Sequence, residues 1–167
     1  LGEVAAVAVE FHAPLAEEKD IDLALAAPDG PHPVHGDRDL CFEALSNLLD
    51  NALKFTPPGG RVAVGLQRTE AAIVVTVADT GPGLPPGERS HVVHRCDRAE
   101  AARQTPGHGL GLSLVAAIAD LHGAPVAIRD AAGGGCHVEL RFPHAEAEAG
   151  LRTARSAPSI TSGPSSP

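Results

Sequence analysis

Two asparagines and a lysine, Asn47, Asn51 and Lys54, stand four and three residues apart in the run Leu45–Thr56, LSNLLDNALKFT. On a helix they share one face, beside an apolar stripe of Leu40, Cys41, Ala44, Leu45, Leu48, Leu49, Ala52 and Leu53. An amide oxygen is a neutral, hard ligand. It suits a magnesium ion that already carries phosphate oxygens and water, because few protein groups hold such an ion. A lysine can then meet phosphate as a point charge. The same residues could equally be two solvated amides and a surface lysine. Asp37, placed after a glycine and ahead of the apolar stripe, is the expected N-cap.

Two glycine-rich segments downstream change the weight of that helix. The run Ala71–Ala78, AAIVVTVA, is nearly continuous in apolar residues and reads as a buried strand. It ends at Asp79, and TGPGLP follows, so Leu84 closes the motif. Gly81 and Gly83 permit positive φ and close approach of the backbone to a ligand. The Asp79 carboxylate offers acceptors only, which suits an exocyclic amine such as that of adenine. A plain turn after a strand is the alternative. The second segment, Gly107–Leu112, GHGLGL, opens an apolar run closed by Gly123. It reads as a glycine loop feeding a helix N-terminus, where backbone N–H groups and the helix dipole favour phosphate. The spacing is neither a dinucleotide fingerprint nor a P-loop, and no protein-kinase catalytic loop is present.

NLLDNALKFTP, DTGPGLPP and GHGLGLSLV together resemble the N box and the two glycine boxes of bacterial sensor histidine kinases. The resemblance covers roughly residues 1–143, in the order the family uses. It implies a Bergerat-type ATP-binding fold, an α/β, two-layer α+β sandwich. Its sheet is mixed and mostly antiparallel, with helices packed on one face. It also implies ATP and Mg²⁺ as cofactors. Asn51 then ligates magnesium, and Asn47 and Lys54 support the phosphates. Phe55 stacks on adenine and Asp79 takes its amine. Gly81, Gly83 and Leu84 shape the base pocket, while Gly107, His108, Gly109, Leu110, Gly111 and Leu112 bound the phosphate side.

Within that fold, gyrase, mismatch-repair ATPases and the large heat-shock chaperones are similar in carrying a Glu four residues before the metal-binding Asn. That Glu deprotonates a water. Here the position is Asn47, which cannot act as a base, so the resemblance implies phosphoryl transfer to a nucleophile brought from elsewhere. The implied partners are a dimerisation hairpin bearing the phosphoacceptor histidine and a response-regulator receiver domain. His12, in FHAPL, lacks the acidic and basic neighbours of the family's acceptor motif. It is expected on the domain's first helix, with an apolar stripe of Val4, Val7, Ala8, Phe11 and Leu15. The chain begins with Leu, which is expected of a fragment of a longer protein.

In the expected lid, between Pro86 and Pro106, Val93, Cys96 and Asp97 stand where the family usually shows aromatics. Arg95 and Arg98 remain as catalytic candidates beside Asn47 and Lys54, because guanidinium forks match phosphate oxygens. Lost aromatic anchors predict weakened kinase activity with ATP binding retained; an ATP-binding regulatory module is the alternative reading. His91, His94 and Cys96 fall short of the four ligands of a structural zinc site.

The rest of the chain bounds these readings. Its 167 residues suit one domain, and with aromatics at only 2% the core must be built from Ala, Val, Leu and Ile. Three scattered cysteines form no disulfide framework, which points to a reducing cytoplasm. A net charge of −8 argues against a nucleic-acid partner. No apolar stretch is long enough to span a bilayer, so a membrane is expected only through a region upstream of this sequence, which would anchor the parent. Strands are expected at Ile21–Ala26, Arg61–Arg68, Ala71–Ala78, Pro125–Arg129 and Cys136–Phe142. Residues 144–167, rich in Ala, Ser and Pro, are expected to be a disordered tail following a domain at 1–143.

Overall fold

A computed structural model describes residues 1–28, 30–83, 110–131 and 134–144. The elements are α1 (Gly2–Glu18), β1 (Asp22–Ala26), α2 (Arg38–Phe55), β2 (Arg61–Arg68), β3 (Ala72–Asp79), α3 (Leu110–Leu121), β4 (Val126–Asp130) and β5 (Cys136–Pro143). The five strands form one sheet in the order β1-β2-β3-β5-β4. β1 runs parallel to β2, and every other pair is antiparallel. The expected mixed, mostly antiparallel sheet is therefore present, with each expected strand within a residue of its place.

Period-2 alternation builds the sheet. Val62, Val64 and Leu66 on β2, Ile73, Val75 and Val77 on β3, and Val138, Leu140 and Phe142 on β5 are buried in one cluster with the helices. The intervening positions, Ala63, Gly65, Thr76 and Ala78 among them, point to the opposite face. Registers such as Val64↔Val77 and Val77↔Val138 align the core residues across strands, so that a slip of one residue would turn the apolar set outward. As composition required, the core is almost wholly aliphatic; Phe142 is the one aromatic residue in it among the described residues.

α2 sits at the centre of the helical layer. Its buried residues are Cys41, Ala44, Leu45, Leu48, Leu49, Ala52 and Leu53, the expected stripe with Leu40 half-buried at its edge. Asp37 caps it as expected: its Oδ1 accepts from the Asp39 and Leu40 N–H groups at 2.9 and 3.0 Å. α3 stops at a glycine in the left-handed region, Gly123 at φ +58°, where the sequence placed a C-cap. Just before that stop, His122 donates from Nδ1 to the Ile118 carbonyl at 2.7 Å, and its Nε2 accepts the Asp37 N–H at 3.0 Å. The end of α3 is thereby fastened to the start of α2.

α1 departs from expectation. Its buried residues are Val4, Ala5, Ala8, His12 and Ala16, whereas Val7 and Phe11 are 43% and 69% exposed. The buried face is rotated from the expected stripe because the small residues Ala5, Ala8 and Ala16 let the helix backbone approach its neighbours closely. The larger Phe11 is left at the rim, where it meets Phe42 edge to face with centroids 5.9 Å apart.

Candidate functional site

Asn47, Asn51, Lys54 and Phe55 all lie on the last three turns of α2, so helical periodicity alone brings them together. Asn47 Nδ2 donates to the Glu43 carbonyl at 2.8 Å, with Glu43 Oε1 at 3.4 Å. That tether fixes the amide with its oxygen directed away from its own helix. A methyl group placed at Gly111 would lie 3.1 Å from Asn47 Oδ1 and 3.4 Å from Asn51 Nδ2. The first turn of α3 therefore rests against both asparagines, and the structure joins two motifs that are sixty residues apart in sequence. The Asn51 amide makes no hydrogen bond among the described residues. Lys54 is exposed, with Nζ 5.2 Å from the centroid of the Phe55 ring.

The other half of the site stands at the end of β3. Asp79 Oδ1 accepts two backbone N–H groups, from Gly81 at 2.9 Å and from Cys136 at 3.1 Å. One carboxylate oxygen is thus bound to the protein, and the other carries no hydrogen bond among the described residues. Gly81 could not carry a side chain without crowding, since its Cβ would fall 2.9 Å from the Phe55 carbonyl oxygen. This approach brings the end of α2 against the turn after β3, so the two halves meet. Gly83 has φ +72°, and a Cβ there would lie 3.0 Å from the Gly135 carbonyl oxygen.

Sequence reasoning missed Gly135. That residue lies in the stretch DAAGGG between the expected strands Pro125–Arg129 and Cys136–Phe142, yet Gly135 has φ +90° and a Cβ on it would run into the Asp79 carbonyl oxygen. The run of three glycines was the available signal, since a hairpin needs fewer. Cys136 was missed as well. It supplies a backbone N–H to Asp79, and its thiol is pushed up to about 11 by burial first and then by the charges of Asp79 and Asp130.

Of the remaining expected residues, Leu112 packs against the core and Leu110 opens α3. Leu84, Arg95, Arg98, Gly107, His108 and Gly109 lie outside the described residues, as do His91, His94, Cys96 and the altered lid positions Val93 and Asp97. His12 lies on α1 as expected; it is 3% exposed, and both of its ring nitrogens are engaged within the domain.

Residues 36–146 match the family described as histidine kinase-, DNA gyrase B- and HSP90-like ATPase. The chain belongs to that family. Among curated proteins it is 46% identical over 106 residues to the signal transduction histidine-protein kinase/phosphatase MprB of Mycolicibacterium vanbaalenii, covering 63% of this chain and 22% of that protein. It is 39% identical over 124 residues to the histidine protein kinase DivJ of Caulobacter vibrioides, covering 74% of this chain and 21% of that protein. The chain thus spans about a fifth of the length of these relatives. Among solved structures, a mycobacterial sensor histidine kinase MprB superposes with a TM-score of 0.68 at 34% identity, covering 85% of this chain and 94% of that one. The ATP binding domain of PrrB from Mycobacterium tuberculosis gives 0.67 at 27% identity, covering 85% and 92%. The catalytic domain of the histidine kinase ThkA, at 22% identity, shares the fold with a TM-score of 0.74. No helix among the described residues of this family member is long and apolar enough to cross a membrane.

Proposed function

We propose that this chain is the ATP-binding catalytic domain of a two-component sensor histidine kinase. In this reading it transfers the γ-phosphoryl group of ATP to a histidine on a dimerisation hairpin of the parent protein, and a response-regulator aspartate receives the group in turn. The domain would occupy residues 1–143, with 144–167 as a tail.

One observation carries the choice of kinase over hydrolase. At the position where a family ATPase needs a carboxylate base, the side chain is Asn47, held by its Nδ2 to the Glu43 carbonyl. An amide so placed can direct its oxygen toward the phosphate side but cannot take a proton from water. Water attack then lacks its base. Transfer to an external imidazole, which is already a nucleophile, needs only positioning and charge neutralisation.

The donor set suits magnesium. Asn51 offers a half-buried amide with no competing hydrogen bond among the described residues, and one neutral oxygen donor is what an ion with phosphate oxygens and water in its shell requires. Magnesium held there would neutralise charge on the phosphate oxygens. Lys54, at the mouth of the same helix face, would meet a phosphate directly. The free oxygen of Asp79 would accept the adenine amine, with its partner oxygen locked by Gly81 and Cys136. Arg95 and Arg98 would meet the γ-phosphate, and Gly107, His108 and Gly109, with Leu110, Gly111 and Leu112 at the start of α3, would bound the phosphate side.

Calorimetric titration with a non-hydrolysable ATP analogue, with and without Mg²⁺, tests this reading, together with an assay of phosphate release. Magnesium-dependent binding with negligible phosphate release is expected, followed by phosphoryl transfer once the parent's hairpin is added. A folded chain that binds no nucleotide would overturn the reading, and so would steady phosphate release without a hairpin.

A further inference from the structure

We propose that His12 is a positioning residue for the phosphate side of the site, acting through Asp50; this rests on the nucleotide-binding reading above. His12 lies 3% exposed on the inner face of α1. Its Nδ1 is 2.8 Å from the Ala8 carbonyl oxygen, which can only accept, so Nδ1 carries a hydrogen. Its Nε2 is 3.2 Å from Asp50 Oδ1. With Nδ1 held by a carbonyl of its own helix, the ring is fixed with Nε2 turned to the Asp50 carboxylate on α2. Phe11 meets the ring edge to face, with centroids 5.2 Å apart.

The position of the contact gives it consequence. Asp50 immediately precedes Asn51 on α2. One turn on, Lys19, just past the end of α1, donates from Nζ to the Leu53 carbonyl at 3.1 Å. α1 therefore grips α2 at residues 50 and 53, on either side of Asn51 and just ahead of Lys54. Both bonds come from α1 or the residue just past it, whereas Gly111 belongs to α3. They fix the rotation and height of the turn from which Asn51 and Lys54 project, without touching nucleotide. Asp50 is 65% exposed, so without His12 its carboxylate has no reason to stay on α1, and the turn would lose one of its two moorings. Among the described residues, no other charged side chain from α1, α2 or the sheet meets His12.

The test is a double-mutant cycle on the full chain, read as the dissociation constant for magnesium with a non-hydrolysable ATP analogue. His12→Leu fills the buried site and is expected to fold, which circular dichroism checks. His12→Leu and Asp50→Ala should each weaken binding about fivefold or more, and the double variant should be no worse than the poorer single. Asp50→Asn should bind within about twofold of the unaltered chain, because a neutral imidazole protonated on Nδ1 can accept from the new amide. Imidazole nitrogen chemical shifts give a signature that mere packing would not move. The Nε2 shift of His12 should move in Asp50→Asn, while the Nδ1 shift, set by the Ala8 carbonyl, should stay. Intact nucleotide binding that is indifferent to His12→Leu would overturn the positioning role alone, as would strictly additive effects. An unaltered, folded chain that binds no nucleotide would overturn the kinase reading, and this role with it.

Discussion

The proposed base side and the proposed phosphate side of the site are made of different material. Around Asp79 the parts are backbone: two N–H groups on one carboxylate oxygen, and Gly81, Gly83 and Gly135 packed where no side chain fits. Around Asn51 the parts are side chains on one helix, half-exposed or exposed, aligned by periodicity and braced from behind by α1. The first arrangement can hardly change one atom without moving strands. The second can change a side chain and keep its helix. In the proposed reading, selectivity for the base would be built into the sheet, and phosphate chemistry would be left to residues that substitution can tune.

The sharpest way to break the contrast is Gly135→Ala. Its Cβ would meet the Asp79 carbonyl oxygen in a left-handed backbone, and strain plus overpacking should cost about 2–4 kcal/mol of folding stability. Nucleotide affinity should fall with it. Gly59→Ala is the matched control: φ is +76°, with nothing within 4 Å of a Cβ. It should show the strain of about 1 kcal/mol without the clash. Urea unfolding of both variants measures the difference, and equal losses would mean that the close approach at Asp79 has no energetic weight.

Next in size is Asp79→Asn. The amide oxygen can still accept from Gly81 and Cys136, so the fold should hold. The free acceptor becomes a donor, however, and would oppose the adenine amine. Losing a hydrogen bond to a charged group is worth about 1.5–3 kcal/mol, or roughly a ten- to hundredfold weaker affinity for ATP. A 6-oxopurine nucleotide such as ITP presents an acceptor at that place and should lose much less. Titrating both nucleotides separates base reading from general damage, which would weaken them alike.

On the phosphate side, Asn51→Ala should leave thermal stability within about 0.5 kcal/mol, since the amide makes no hydrogen bond among the described residues. Magnesium should no longer improve nucleotide affinity. The expected loss is about tenfold in the presence of the ion and none in its absence. A variant that weakens binding equally with and without magnesium would remove Asn51 from the metal and make it a phosphate contact.

What the sequence made legible follows the same division. The phosphate side was readable because its residues are local: spacings of four and three on an amphipathic helix place Asn47, Asn51 and Lys54 together whatever else the chain does. The strands and caps were readable for the same reason, through alternation at Val62–Leu66 and the Asp37 and Gly123 signals. Gly135 was not, because its requirement arises where β5 starts beside the end of β3, 56 residues away in sequence. The α1 face was misjudged because hydrophobic size was taken as the guide to burial. Close approach of helices rewards small residues, so Ala5, Ala8 and Ala16 went inside while Phe11 stayed at the rim. A buried histidine on that face has no periodic signature at all, since its reason for being there is Asp50 on another helix.

The smallest expected effect lies where the two kinds of material touch, at Cys136. Its thiol titrates near 11, raised mainly by burial and next by the neighbouring Asp79 charge. An acid whose folded value stands above its unfolded one favours the folded state while it is protonated. Its contribution is present below the ordinary thiol value, near 9, and is lost as pH rises from there through 11. Stability should therefore decline across that alkaline window, and less steeply in Cys136→Ala, which removes the titrating group but keeps the N–H that Asp79 needs. Urea midpoints at about pH 8 and 10 measure the slopes. Iodoacetamide should correspondingly label Cys136 slowly in the folded chain at about pH 8, where little thiolate is present. Rapid labelling there would show a thiol that burial does not hold protonated, and would place the start of β5 in a more open setting than this structure gives it.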